Sequence, residues 1–167
     1  FNHGDKDKNM QMYKEITSYI LQAGKTVYIF RHSREDFPIC EMIAEQFQSN
    51  KNVVLLDNEF SCLEYDEFVK KFDFVICSRF HGCVHAYRNY IPCILLGWAI
   101  KYQELAENVG QGQYAFDITS RDFSPDKVIA ATENLIANLN AEAGIIKEHV
   151  VEIQKHNCFD QIEECLH

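Results

Sequence analysis

No stretch of this chain stays apolar long enough to cross a membrane, so no spanning helix is expected. Positive charge is also in short supply. The formal net charge is −9, which argues against non-specific nucleic-acid binding, because a phosphate backbone rewards a basic surface. An anionic ligand would have to be met by local basic spots against the overall field. No strand-like run is followed by GxGxxG, and Gly110-Gln111-Gly112 is too short and polar for a dinucleotide loop, so the signal for NAD is missing. The seven cysteines, at 40, 62, 77, 83, 93, 158 and 165, include no CxxC pair. Their odd number and mostly apolar surroundings suit reduced thiols packed as small hydrophobes, not a disulfide framework, and point to a cytoplasmic protein. The sequence shows no internal repeat or low-complexity linker, it opens on Phe1 and not on Met, and no signal peptide is expected from its first residues. Phe1-Asn2-His3-Gly4 reads as the end of a strand and a loop, and leads to the expectation of a fragment from a longer protein.

What is present describes one α/β domain. A 167-residue chain that is 47% hydrophobic and 25% charged is long enough for a single substantial core. Helical spacing at Met12/Tyr13, Ile16, Tyr19/Ile20 and Ala23 ends at Gly24. Short β-rich runs follow at 27–30, 53–56, 74–77, 92–96 and 114–118. Between them lie helical segments, two opened by capping boxes at Ser33-Arg34-Glu35-Asp36 and Ser61-Cys62-Leu63-Glu64. Ser124-Pro125 opens an amphipathic helix, and 141–155 reads as another. The organisation expected is a domain over 1–140 with a helical extension over 141–167. Strands that alternate with helices, and that lack inside/outside alternation, predict a Rossmann-like parallel sheet with helices on both faces. Ligands bind such folds beyond the carboxyl ends of the strands.

Three strand ends carry chemistry there. The first is Arg31-His32-Ser33, with Asp36 and Cys40 one helical step on; the second is Ser78-Arg79-Phe80-His81-Gly82; the third is Gly97-Trp98-Ala99-Ile100-Lys101. Arg79 offers a planar fork for carboxylate or phosphate. His81, at a helix start, can hold or deliver a proton near neutral pH. Gly82 lets a ligand approach the backbone, Lys101 adds a mobile cation, and His32 adds a second titratable group. Each has a plainer reading. An arginine at a strand end also pairs with a neighbouring carboxylate, a histidine at a helix start also serves as a cap, Lys101 can simply be solvated, and Asp36 is first a helix N-terminal residue. His81 and His85 stand four apart, but no third ligand is near and no zinc-protease Glu follows, so His85 reads as packed inside and no metal or cofactor is expected.

The run Phe74-Val75-Ile76-Cys77-Ser78-Arg79-Phe80-His81-Gly82-Cys83-Val84-His85-Ala86, then Ile91-Pro92-Cys93-Ile94-Leu95-Leu96 and Lys101, resembles the polysaccharide pyruvyl transferase family across most of 10–140. His32 and Asp36 match its upstream part more loosely. Trp98 and its bulky, apolar neighbours depart from the family pattern. The resemblance implies the C-terminal half of a GT-B type transferase, with an N-terminal half that helps to bind the acceptor and a first strand before Phe1. It implies transfer of pyruvate from phosphoenolpyruvate to sugar hydroxyls in surface or exopolysaccharide biosynthesis. His81 and Arg79 are then catalytic candidates, and Arg79, Lys101, His32, Ser78 and Gly82 substrate-binding ones, with the isolated fragment inactive. Two alternatives stay open: a relative that uses a nucleotide-sugar donor, with Glu104 as a weak candidate for ribose, and a non-catalytic binding module on the same fold.

Overall fold

Apolar spacing sets the first helix. In a computed structural model that describes residues 6–155, α1 (Lys6–Gln22) buries Met12, Ile16 and Ile20 on one stripe. Gly24 ends it at φ +76°, a conformation that costs glycine little. β1 (Val27–Phe30) follows, then a 3₁₀ turn (Arg34–Asp36) and α2 (Phe37–Glu45), with Pro38 in its first turn. β2 (Val53–Leu56) leads to α3 (Cys62–Val69). Its capping box forms as the sequence predicts: Ser61 Oγ accepts from Glu64 N at 3.3 Å, and Glu64 Oε2 accepts from Ser61 N at 2.8 Å. β3 (Val75–Cys77), α4 (Phe80–Arg88), β4 (Cys93–Gly97) and α5 (Ile100–Asn108) come next. A 3₁₀ turn (Gly112–Tyr114) then leads into β5 (Ala115–Asp117).

The last two predicted helices both form and run on from one another as α6 (Pro125–Gln154), joined across a kink at Asn138, where φ is −124°. Asn138 Nδ2 donates to the Asn134 carbonyl at 2.9 Å, so the side chain holds the kink. The reading of Phe1–Gly4 and of the tail, including Cys158 and Cys165, lies outside the described residues.

All strands pair in parallel, as predicted, yet not in one ladder. β1 pairs with β2, and β3–β4–β5 form a second group. β1 and β3 present their other edges to each other across a gap. Two parallel groups of strands alternating with helices make this a Rossmann-like α/β fold. Contacts other than a ladder span the gap. Lys25, two residues before β1, pairs with Asp73, two before β3, at 2.5 Å. Phe30 stacks on Phe72 with centroids 5.6 Å apart.

The core lies on both faces of β4, whose five residues are all buried. Cys93 and Leu95 face one cluster with Tyr87, Tyr102 and Ile146; Ile94 and Leu96 face the other with Ile16, Val128 and Leu135. Each fully buried Leu, Ile or Val among them contributes about 1.5–3 kcal/mol. The two halves of α6 feed different clusters, and Glu142 fixes the crossing. It is buried, and accepts from Gln111 Nε2 at 2.7 Å and from the Tyr114 hydroxyl at 2.7 Å. Glu142→Leu leaves the buried Tyr114 hydroxyl without an acceptor and Gln111 Nε2 with only the Gly110 carbonyl at 3.3 Å. It should destabilise the chain by about 2–4 kcal/mol, read from the urea midpoint, and Glu142→Gln should cost less.

Candidate functional site

Parallel strands bring the first two chemical strand ends to one rim. Arg79 stands just before α4 with extended backbone, φ −104° and ψ 124°, so its side chain leaves the end of β3 sideways. It reaches Asp36 across the gap. Nε donates to Oδ2 at 3.0 Å and Nη2 to Oδ1 at 2.6 Å, a two-pronged contact between residues 43 apart in sequence. Glu35 adds a longer contact at 4.0 Å. Asp36 is held from its own side too, because Oδ2 accepts from Ser33 N at 3.2 Å. The plain reading of an arginine paired with a carboxylate is therefore realised. The guanidinium has five N–H donors, so the contacts to Asp36 leave others for a ligand. A cavity of about 580 Å³ fills the gap between β1 and β3, and His32, Asp36, Ser78 and Arg79 line its upper end.

His32 and His81 line a second cavity of about 430 Å³ beside the first. Both are exposed. The His32 ring sits edge-on to Tyr65 at 5.1 Å between centroids. Desolvation lowers its pKa from the usual value, and the positive potential of His81 and His85 lowers it further.

The third strand end joins the rim through Tyr102, whose hydroxyl donates to the Ser78 carbonyl at 3.1 Å. Lys101 is exposed and lies over the Phe80 ring at 4.8 Å. It lines neither cavity, and it stands with Phe80 beside the rim, not in it. The close approach at Gly82 is made by the protein itself. A Cβ there would lie 2.6 Å from Cys77 Sγ and 3.1 Å from the Tyr65 hydroxyl, so the missing side chain lets α4 pack onto β3. His85 is buried, as its spacing suggested, and its Nδ1 lies 2.8 Å from Asp66 Oδ1. Among the described residues no cluster of three metal-ligating side chains forms.

Sequence reasoning missed Asp66, Tyr65 and the acidic partners of Arg31. Arg31 donates to Asp57 at 2.8 Å and meets Glu59, which also binds Arg34. Bonds from Arg34 and then Arg31 hold the Glu59 carboxyl down to about 2. No local motif marks such pairs, since each partner lies 19 or more residues away.

The shift at His32 has a signed consequence. Near pH 7 the ring is neutral folded or unfolded. As pH falls through about 6.5, the unfolded chain takes up a proton that the folded chain resists. Stability should fall between pH 7 and pH 5. The urea midpoint should track that fall, with a shallower slope in His32→Gln.

A sequence model of the polysaccharide pyruvyl transferase family matches residues 1–99, more than half of the chain, and the chain belongs to that family. No curated protein and no solved structure matches it. The matched range takes in His32, Asp36, Ser78, Arg79, His81 and Gly82, and stops short of Lys101.

Proposed function

We propose that this member of the family uses the rim around Arg79 as the donor site of a pyruvyl transfer from phosphoenolpyruvate to sugar hydroxyls. The observation that carries the reading is the Arg79 fork, oriented by Asp36 at the end of a buried parallel strand, with His81 and His32 beside it. Phosphoenolpyruvate bears a carboxylate and a phosphate, and a pre-aimed guanidinium suits either. Ser78 and the free backbone N–H groups at the start of α4 add donors for the same anion.

The chemistry follows from the groups at hand. His81 delivers a proton to the enol carbon, C3 of the donor. C2 becomes electrophilic, a sugar hydroxyl oxygen attacks it, and phosphate leaves with the C2–O bonding pair. A second hydroxyl of the same sugar then attacks C2 and closes the ketal, its proton returning to His81, which the first step left neutral. A positioned acid of this kind contributes about 10²–10⁴-fold in rate. The lowered pKa of His32 keeps a neutral imidazole near the anion, suited to accept the hydroxyl proton. Lys101 assists from the margin of the site, and Gly82 keeps α4 close enough to aim His81. In this reading the saccharide is presented by a facing half-domain of GT-B type, in the cytoplasm. The chain by itself binds the donor without turning it over.

A thermal-shift titration tests the reading. Phosphoenolpyruvate should raise the melting temperature, and Arg79→Ala should abolish the rise while it leaves the unliganded chain folded. His81→Asn should keep most of the binding. A rise with nucleotide sugars and none with phosphoenolpyruvate would favour a glycosyltransferase-like donor. Silence towards both would favour a binding module.

A further inference from the structure

The second cavity holds a group of residues that the donor reading does not use. Cys62 is the first residue of α3 and is exposed. Its Sγ lies 3.6 Å from Nε2 of His85, and Nδ1 of His85 lies 2.8 Å from Asp66 Oδ1. Asn89 Nδ2 donates to the same Asp66 oxygen at 2.9 Å, and Arg88 stands 3.6 Å away. Burial acts to raise the Asp66 carboxyl, but the bonds from His85 and Asn89 and the Arg88 charge outweigh it and hold it below its ordinary value. A carboxylate on Nδ1 keeps the proton there and turns the lone pair of Nε2 towards the thiol. The side chains of His85 and Asp66 are only 11% and 14% exposed, so the imidazole is fixed while the sulfur is open.

The other described cysteines are of a different kind. Cys40, Cys83 and Cys93 are buried, and Cys77 is half-buried. Burial pushes the Cys40 thiol up to about 11 and raises Cys93. Thiols placed in this way are inert. Cys62 instead has an open face, the first turn of a helix behind it, and an imidazole held in place by a carboxylate within reach of its sulfur. The cavity walls carry the guanidiniums of Arg31 and Arg34 against one carboxylate, Glu59, with His32 and His81 alongside. Asp57 meets Arg31 from outside that lining.

We propose that Cys62, His85 and Asp66 form a nucleophilic thiol site that takes small electrophiles bearing a carboxylate. The thiol gives its proton to Nε2 of His85, sulfur bonds to the electrophilic carbon, and the leaving group departs with its bonding pair. Asp66 is the positioning residue. The proposal does not depend on the identity of the transferred group, and its test reads labelling, not turnover.

The probes are iodoacetate and iodoacetamide, with iodide as the leaving group, applied to the folded chain and followed peptide by peptide by mass spectrometry. Cys62 should react at pH 7 at least about tenfold faster than free glutathione. Its preference for iodoacetate over iodoacetamide should exceed that of glutathione. His85→Asn should slow Cys62 about tenfold, Asp66→Asn should slow it less, and Asp66→Glu should restore part of the rate. Cys83 and Cys93 report on folding, since they stay unlabelled unless a variant opens. A wild-type Cys62 no faster than glutathione overturns the site, whatever the variants do. An unchanged rate in folded His85→Asn reduces Cys62 to an exposed thiol. Equal or reversed probe preference removes the carboxylate from the proposal.

Discussion

The guanidinium of Arg79 reaches from the end of β3 to the Asp36 carboxylate beyond the end of β1, and the two groups of strands meet across that contact. At the opposite end Lys25 and Asp73 do the same. Between those ion pairs no backbone bond joins β1 to β3. Alignment of the halves therefore rests on side chains: the two pairs, the aromatic contacts of Phe30 with Phe68 and Phe72, and the cover that α1 provides.

That arrangement ties chemistry to architecture. Asp36 caps its own turn, receives Arg79 and faces the larger cavity at once. Arg79 in turn bridges the strand groups and presents its remaining donors at the rim. A partly exposed ion pair is worth little in isolation, about 0.2–1 kcal/mol. Its value here is positional, since it fixes which way the fork points. Tyr65 plays a similar part at the second cavity, with its ring edge-on to both His32 and His85 at 5.1 Å. It stands between two imidazoles in different settings, His32 exposed and His85 buried.

The fold was legible where local chemistry decides it. Ser61 and Glu64, Pro38 and Gly24 place helix ends by their own bonding or backbone preference, and the apolar runs at 27–30 and 53–56 fall where the strands do. The two helices of α6 were legible from their apolar spacing, but the kink that joins them was not, because it depends on the Asn138 side chain bonding to the previous turn. The split of the sheet was not legible either, because pairing is decided by which strands lie side by side, which periodicity does not encode. At the site, Arg79, His81 and His32 stood out as polar residues at the ends of apolar runs. Their pairing did not, since Asp36 was marked as a helix N-terminal residue and a loose family match but not as the partner of Arg79, and Asp66 has the sequence setting of any helix acid. Lys101 and Gly82 stood out by position. Only three-dimensional packing shows that Lys101 rests on Phe80 and that Cys77 occupies the space at Gly82.

The unpaired inner edges of β1 and β3 carry a mechanical consequence. Where strands share a ladder, their relative shift is quantised, because a slip of one residue turns every side chain to the wrong face. Here the two groups share none, so a small shear between them breaks no backbone bond and is resisted only by ring contacts and charged tips. His32 rides with one group and His81 with the other. Their separation is thus a compliant coordinate of the molecule, set by how firmly Arg79 and Lys25 grip the far side.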